Sequence, residues 1–92
     1  MYELFASNKF KRDFKKCKRQ HKNIQKLQTI LANLAAGNAL ATSNRDHNLA
    51  GNYVNHRECH IEPDWLLIYR INEEQKRIEL VRTGSHSELF GR

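Results

Sequence analysis

Apolar positions recur at two different periods along the chain, and the change of period divides it. Phe10, Phe14 and Cys17 are spaced by four and three, and Ile24, Leu27, Leu31 and Leu34, with Ile30 beside them, repeat the pattern. Side chains three and four apart share one face of an α-helix. Two amphipathic helices are therefore predicted, the first started by Ser7 as N-cap and the second closed at "AAGN", where Gly37 suits a left-handed C-cap. Ahead of them, "YELF" is a short apolar start able to add a strand. Residues 38–55, "NALATSNRDHNLAGNYVN", mix small, polar and turn-forming types without a period, and read as a loop ordered by a few apolar side chains. Loops of that length usually carry function.

After the loop the period shortens. "RECHI", "WLLIYRI" and "RIELVRT" are β-prone runs separated by "EPD" and "NEEQK", the pattern of an antiparallel meander. Pro63 presets φ at the second position of its turn, between Glu62 and Asp64. "WLLIY" is apolar at successive positions, so it is predicted as a central strand covered on both faces, one of them by the helices. The expected fold class is α+β, an N-terminal helical hairpin packed on a small antiparallel β-sheet. With 92 residues, no repeat, no low-complexity tract and no linker, residues 1–92 are expected to form a single domain.

Charge adds a partner class. The formal net charge is +6 and the pI about 9.6, which attracts polyanions such as nucleic acid or an acidic protein. Lys9, Lys11, Arg12, Lys15, Lys16, Lys18, Arg19, Lys22 and Lys26 fall in one N-terminal stretch in which Asp13 is the only acid. A solvated helix face would look the same. Cys17 and Cys59 match neither a disulfide framework nor a CxxC pair and read as reduced thiols, which favours the cytoplasm. No stretch reads as an export signal or approaches bilayer length, so no membrane partner is expected.

Candidate chemistry centres on histidine. His47, His56, His60 and His86 lie in or beside the strand region and His21 in the basic stretch; imidazole both accepts and donates a proton near neutral pH. One histidine alone is more often structural. A metal site at His56, Cys59 and His60 is disfavoured, because four residues of strand separate the two imidazoles by roughly 13 Å whereas zinc ligands lie about 2 Å from the ion. No metal and no cofactor is expected.

The segments "DHNLAGNYVNHRECHIEPDWLLIYR" and "VRTGSHSELFG" resemble the YafQ branch of the RelE/ParE-type bacterial toxins, the mRNA interferases of type II toxin–antitoxin modules. The likeness is specific from Asp46 to Gly91 and loose over the helices, where only the basic amphipathic pattern corresponds. It implies a RelE-like, microbial-RNase-like fold with an RNA-binding cleft on the sheet face away from the helices. Its active-site positions fall on His47, His60, Asp64, Arg82 and His86, with Trp65 and Phe90 at aromatic positions nearby and Lys9, Lys11, Arg12, Lys15 and Lys16 toward ribosomal RNA. No motif position is substituted, which implies an active, ribosome-dependent endoribonuclease.

The implied reaction is metal-independent. The ribose 2′-hydroxyl attacks its own 3′-phosphate with His86 as acid, a base among His47, His60 and Asp64, and Arg82 as a two-oxygen phosphate clamp. The implied partners are mRNA and the ribosome, a cognate antitoxin with an acidic segment, and operator DNA bound by the toxin–antitoxin complex. Other readings of the same chain are a catalytically silent module that binds RNA or DNA complexes, and a ParE-like gyrase-directed toxin, which has no need of this proton-transfer set. Without the resemblance, Trp65 and Phe90 read as core or rim aromatics, and Arg82 as an ordinary surface pair with Glu79 or Glu88.

Overall fold

Ser7 begins the first helix as its sequence predicts: its hydroxyl accepts the Phe10 N–H at 3.0 Å. The computed structural model describes residues 1–91, in the order β1 (Glu3–Ala6), α1 (Asn8–Arg19), α2 (Ile24–Ala35), a 3-10 turn at Thr42–Asn44, β2 (His47–Asn48), a second 3-10 turn at Gly51–Tyr53, β3 (Arg57–Glu62), β4 (Trp65–Asn72), β5 (Arg77–Gly84) and α3 (His86–Phe90). Past the end of α2, Gly37 takes φ +77° and its N–H reaches the Leu34 carbonyl at 3.0 Å, the left-handed closure expected of it.

The strands form one sheet in the order β1-β5-β4-β3-β2. Strands β3, β4 and β5 are the expected meander, and β2, formed from the loop, adds antiparallel to β3. The remaining edge differs from an antiparallel sheet: β1 pairs parallel to β5, with Glu3 opposite Arg77. The α1–α2 hairpin lies on one face, and the chain start runs in the same direction as the last strand. No local signal in "YELF" encodes that pairing, because its partner arrives at the far end of the chain.

Strand β4 is buried on both sides. Toward the helices, Trp65, Leu67 and Tyr69 join Cys59, Ile61, Ile78 and Leu80 under Phe10, Cys17, Leu27, Ile30 and Leu34. Toward the other face, Leu66 and Ile68 meet Leu89 of α3, with Leu49, Tyr53 and Val81 at the margin. The loop is thus ordered from both sides, since Leu40 packs on the helix-side core while Leu49 and Tyr53 pack on the other.

Trp65 departs from its expected place at an RNA surface. It is 1% exposed on the helix side, its indole N–H donates to Thr83 Oγ1 at 3.0 Å, and that hydroxyl donates to the Leu66 carbonyl at 2.7 Å. Alternation along β4 puts Trp65 with Leu67 and Tyr69 on the helix side, so Trp65 is a core residue.

Candidate active site

Register places the site. In antiparallel strands, directly opposed residues point to the same face. His47 opposes Glu58, Glu58 opposes Ile68, and Ile68 opposes Arg82, one row crossing β2, β3, β4 and β5. In the next row His60 opposes Leu66, which opposes Gly84. Both rows lie on the face away from α1 and α2, where Leu66 and Ile68 form an apolar floor with polar side chains around it.

The hairpin between β3 and β4 supplies the third wall. Pro63 and Asp64 form its two-residue turn, and the register slips between His60 and Glu62. Asp64 Oδ1 accepts both the backbone N–H of His86, at 2.9 Å, and its Nδ1–H, at 2.6 Å. Those two hydrogen bonds hold the Asp64 carboxyl below its ordinary range, and with Nδ1 engaged the Nε2 of His86 faces away from the turn. Helix α3 itself is held by a capping box: Ser85 Oγ accepts the Glu88 N–H at 3.1 Å and Glu88 Oε1 accepts the Ser85 N–H at 2.9 Å.

The imidazoles form a row. His47 and His60 have ring centres 6.4 Å apart, and His60 and His86 5.6 Å apart. His47 Nδ1 lies 2.6 Å from the Arg45 carbonyl and His60 Nδ1 3.3 Å from the Pro63 carbonyl; a carbonyl only accepts, so each Nδ1 carries the proton. The two Nε2 atoms converge instead on Glu58 Oε1, at 3.4 Å from His47 and 3.5 Å from His60. Glu58 is 5% exposed. Sequence reading passed over it, although alternation along β3 puts it on the same face as His60, two residues on.

Asp46 anchors β2 beneath His47. Its Oδ1 accepts the Tyr69 hydroxyl at 2.5 Å and the Arg57 Nε–H at 3.2 Å, and Arg57 Nη1 reaches Asn48 Oδ1 at 2.7 Å. Burial, with the Asp46 contact second, raises the Tyr69 hydroxyl well above its ordinary value. The "DH" pair therefore divides its work: the aspartate ties the loop to the core, and the histidine enters the site.

Arg82 is engaged within the protein. Its Nε and Nη2 donate to the two carboxylate oxygens of Asp13 on α1, at 2.6 and 3.1 Å, while Asp13 Oδ2 also accepts the Thr83 N–H at 3.1 Å. Its partner is thus neither Glu79 nor Glu88. The two-donor fork expected to grip phosphate is occupied by Asp13, which caps the edge of β5 where its pairing with β1 has ended at Leu80. This contact raises the Arg82 guanidinium above its ordinary value.

Helix α1 borders this corner through one of its faces. Asp13, Lys16 and Gln20 lie three and four apart, and Lys16 and Gln20 reach Glu88 Oε2 at 2.7 and 3.2 Å. Exposed Lys9 and Arg12 extend the same face. Lys11 and Lys15 point elsewhere, and with Lys18 they rim an apolar groove floored by Phe10, Phe14, Leu27 and Leu31. Among the described residues, no group of three or more His, Cys, Asp or Glu side chains is arranged to hold a metal ion. His21 sits in the α1–α2 turn with φ +60°, and His56 packs edge-on against Tyr53, both outside the imidazole row. Phe90 is 36% exposed, edge-on to Tyr53 at 6.0 Å.

Comparison with known proteins gives a consistent neighbourhood. The family model described as the bacterial toxin of a type II toxin–antitoxin system, YafQ, matches residues 2–91. The mRNA interferase toxin YafQ of Escherichia coli K12 is 36% identical over 90 residues, covering 97% of this chain and 96% of the relative. The crystal structure of YafQ from Escherichia coli BL21(DE3) superimposes with a TM-score of 0.92 at 32% identity, covering 99% of this chain and 100% of that one. A metal-bound toxin from Helicobacter pylori matches with a TM-score of 0.92 at 40% identity, over 98% of this chain and 100% of its own. YafQ in the Escherichia coli DinJ–YafQ complex matches with a TM-score of 0.90 at 33% identity, over 99% and 100%.

Proposed function

The chain belongs to the YafQ family of toxins from bacterial type II toxin–antitoxin systems, and from that premise we propose that it is an endoribonuclease that cuts mRNA on the ribosome by metal-independent acid–base catalysis. The observation that carries the reading is the row of His47, His60 and His86 along one open sheet face, each ring oriented through its Nδ1.

The chemistry needs only proton transfer and charge stabilisation. The 2′-hydroxyl loses its proton to an imidazole and attacks the adjacent phosphorus. The P–O5′ bond breaks, and the leaving oxygen takes a proton from a second imidazole, leaving a 2′,3′-cyclic phosphate and a 5′-hydroxyl. His86 suits the acid, since Asp64 fixes its orientation from behind. The base is His47 or His60; the two Nε2 atoms lie beside one Glu58 oxygen, and the ring that serves as base is the one whose Nε2 is unprotonated and turned to the 2′-hydroxyl. Asp64 is a poor base, because its carboxylate already accepts two hydrogen bonds and is held in its ionised form. The Arg82 guanidinium supplies positive charge near the phosphate, and exposed Lys9, Lys11, Arg12 and Lys15 supply non-specific contacts to ribosomal phosphates.

The relative crystallised with DinJ suggests an antitoxin partner here too. The groove between α1 and α2, apolar at its floor and lysine-rimmed, suits a helix with apolar and acidic positions. Co-purification with the product of the neighbouring gene tests that partnership. Operator DNA would then be bound by the pair.

The nuclease reading is tested by mapping mRNA ends after incubation with translating ribosomes, and separately by incubating free RNA in EDTA, each with His86→Ala alongside. Cuts within ribosome-bound codons that vanish in the variant are expected. Intact mRNA with a protein that still binds ribosomes would refute it.

A further inference from the structure

Beyond the imidazole row, the face carries a second concavity that no step above uses. An open pocket of about 510 Å³ lies between the Gly51–Tyr53 turn and α3, walled by Tyr53, Phe90, Leu89 and Ala50, with exposed Asn52 at its lip. Two observations set it apart from an ordinary rim. Phe90 and Tyr53 are held edge-on, centres 6.0 Å apart at 87°, and Tyr53 is edge-on to His56 as well, 5.7 Å apart at 78°. The Asn52 amide has no side-chain hydrogen bond among the described residues, so both its donor and its acceptor are available.

Position relates the pocket to the cut. Phe90 follows His86 by four residues on α3, which places it on the same side one turn further, about 6 Å along the axis. On the other side Tyr53 packs with Val81 on the Leu66, Ile68 and Leu89 floor of the same open face. The pocket therefore adjoins the His86 end of the imidazole row through α3.

We propose that the pocket takes the nucleobase flanking the cut, with Tyr53 and Phe90 as stacking walls and Asn52 reading the base edge by hydrogen bonds. This rests on the nuclease reading and adds to it a specificity subsite whose new determinants are Asn52 and Tyr53. Stacking on aromatic rings accepts any base, whereas a side-chain amide that bonds a base edge discriminates. The division of labour follows: Tyr53 holds a base, and Asn52 chooses it.

The test compares wild-type protein with Asn52→Ala, Tyr53→Ala and Tyr53→Phe on translating ribosomes, mapping every cut and counting the bases on either side. Asn52→Ala is expected to flatten the preference at one flanking position by about tenfold, the worth of one base-edge pair. Tyr53→Ala should slow cutting at all sites by about tenfold or more, and Tyr53→Phe, which keeps the ring, should slow it less than Tyr53→Ala does. Asn52 is exposed, so its variant reports even if Tyr53→Ala folds poorly. An unchanged base profile in Asn52→Ala, with wild type cutting normally, overturns the subsite and leaves the nuclease intact. The same profile together with weakened antitoxin capture reassigns the pocket to the partner. Uncut RNA with wild type overturns the nuclease reading, and the subsite falls with it.

Discussion

The two faces of the sheet are built from alternate residues of the same strands, yet they differ in almost every physical respect. The helix side buries Trp65, Leu67, Tyr69, Cys59 and Ile78 under two helices, while the open side has a thin floor of Leu66, Ile68 and Leu89 bordered by imidazoles and carboxylates. Burial per residue does the stabilising, so one face carries most of the fold and leaves the other free to hold groups that contribute little to it. Polar residues on the open side are costly to the fold only where they are buried, and Glu58 is the clearest such case.

The comparison breaks first on the helix side. Trp65→Ala should cost about 3–5 kcal/mol, more if the Thr83 hydroxyl is left without its donor, and urea unfolding would show the loss as a lower midpoint with unchanged slope. On the open side His86→Ala should lower the cleavage rate about 10²–10⁴-fold with a thermal midpoint close to wild type. A large loss of stability in that variant would mean that the imidazole is part of the fold.

Acid sharpens the contrast at the seam between the faces. The Lys16 ammonium, followed by the Ser85 N–H, holds the Glu88 carboxyl at about 2, below its ordinary 4.5. Since the folded value is the lower one, this stabilisation is complete above about pH 4.5 and is lost as pH falls toward 2. It amounts to about 2 kcal/mol after allowing for partial exposure. Glu88→Gln should flatten that part of the curve of urea midpoint against pH. The smallest effect is expected at Asp13→Asn, which frees the Arg82 fork but weakens the bond to the Thr83 N–H. A shift in stability of about 1 kcal/mol is expected, and the Michaelis constant for RNA should fall by a few fold as Arg82 gains two donors for phosphate. An unchanged Michaelis constant would show that Arg82 does not meet the substrate.

Much of this was legible in the chain. Ser7, Gly37 and the period of Phe10, Phe14 and Cys17 bound the helices, because capping and periodicity are local. The turn at Pro63 and the doubly buried β4 were legible for the same reason. Which face each β4 residue takes was not, since a strand apolar at every position has no alternation to read, and Trp65 fell on the unexpected side. The Arg82–Asp13 pair joins residues 69 apart and leaves no mark in either segment. The parallel edge at β1 was hidden likewise. Glu58 was within reach, two residues before His60 on a strand, and was passed over because a lone glutamate in a β-prone run carries no motif.

Both thiols lie on the helix side, Cys17 at 2% exposure and Cys59 at none, and burial pushes Cys59 up to about 12. Neither can be alkylated until the sheet and helices part. The chain therefore carries its own clock for opening: in native buffer the labelling rate of Cys59 by iodoacetamide should track global unfolding, slow in wild type and faster in Trp65→Ala, and stay unchanged in His86→Ala. Oxidants that inactivate exposed thiols should likewise leave the open face at work.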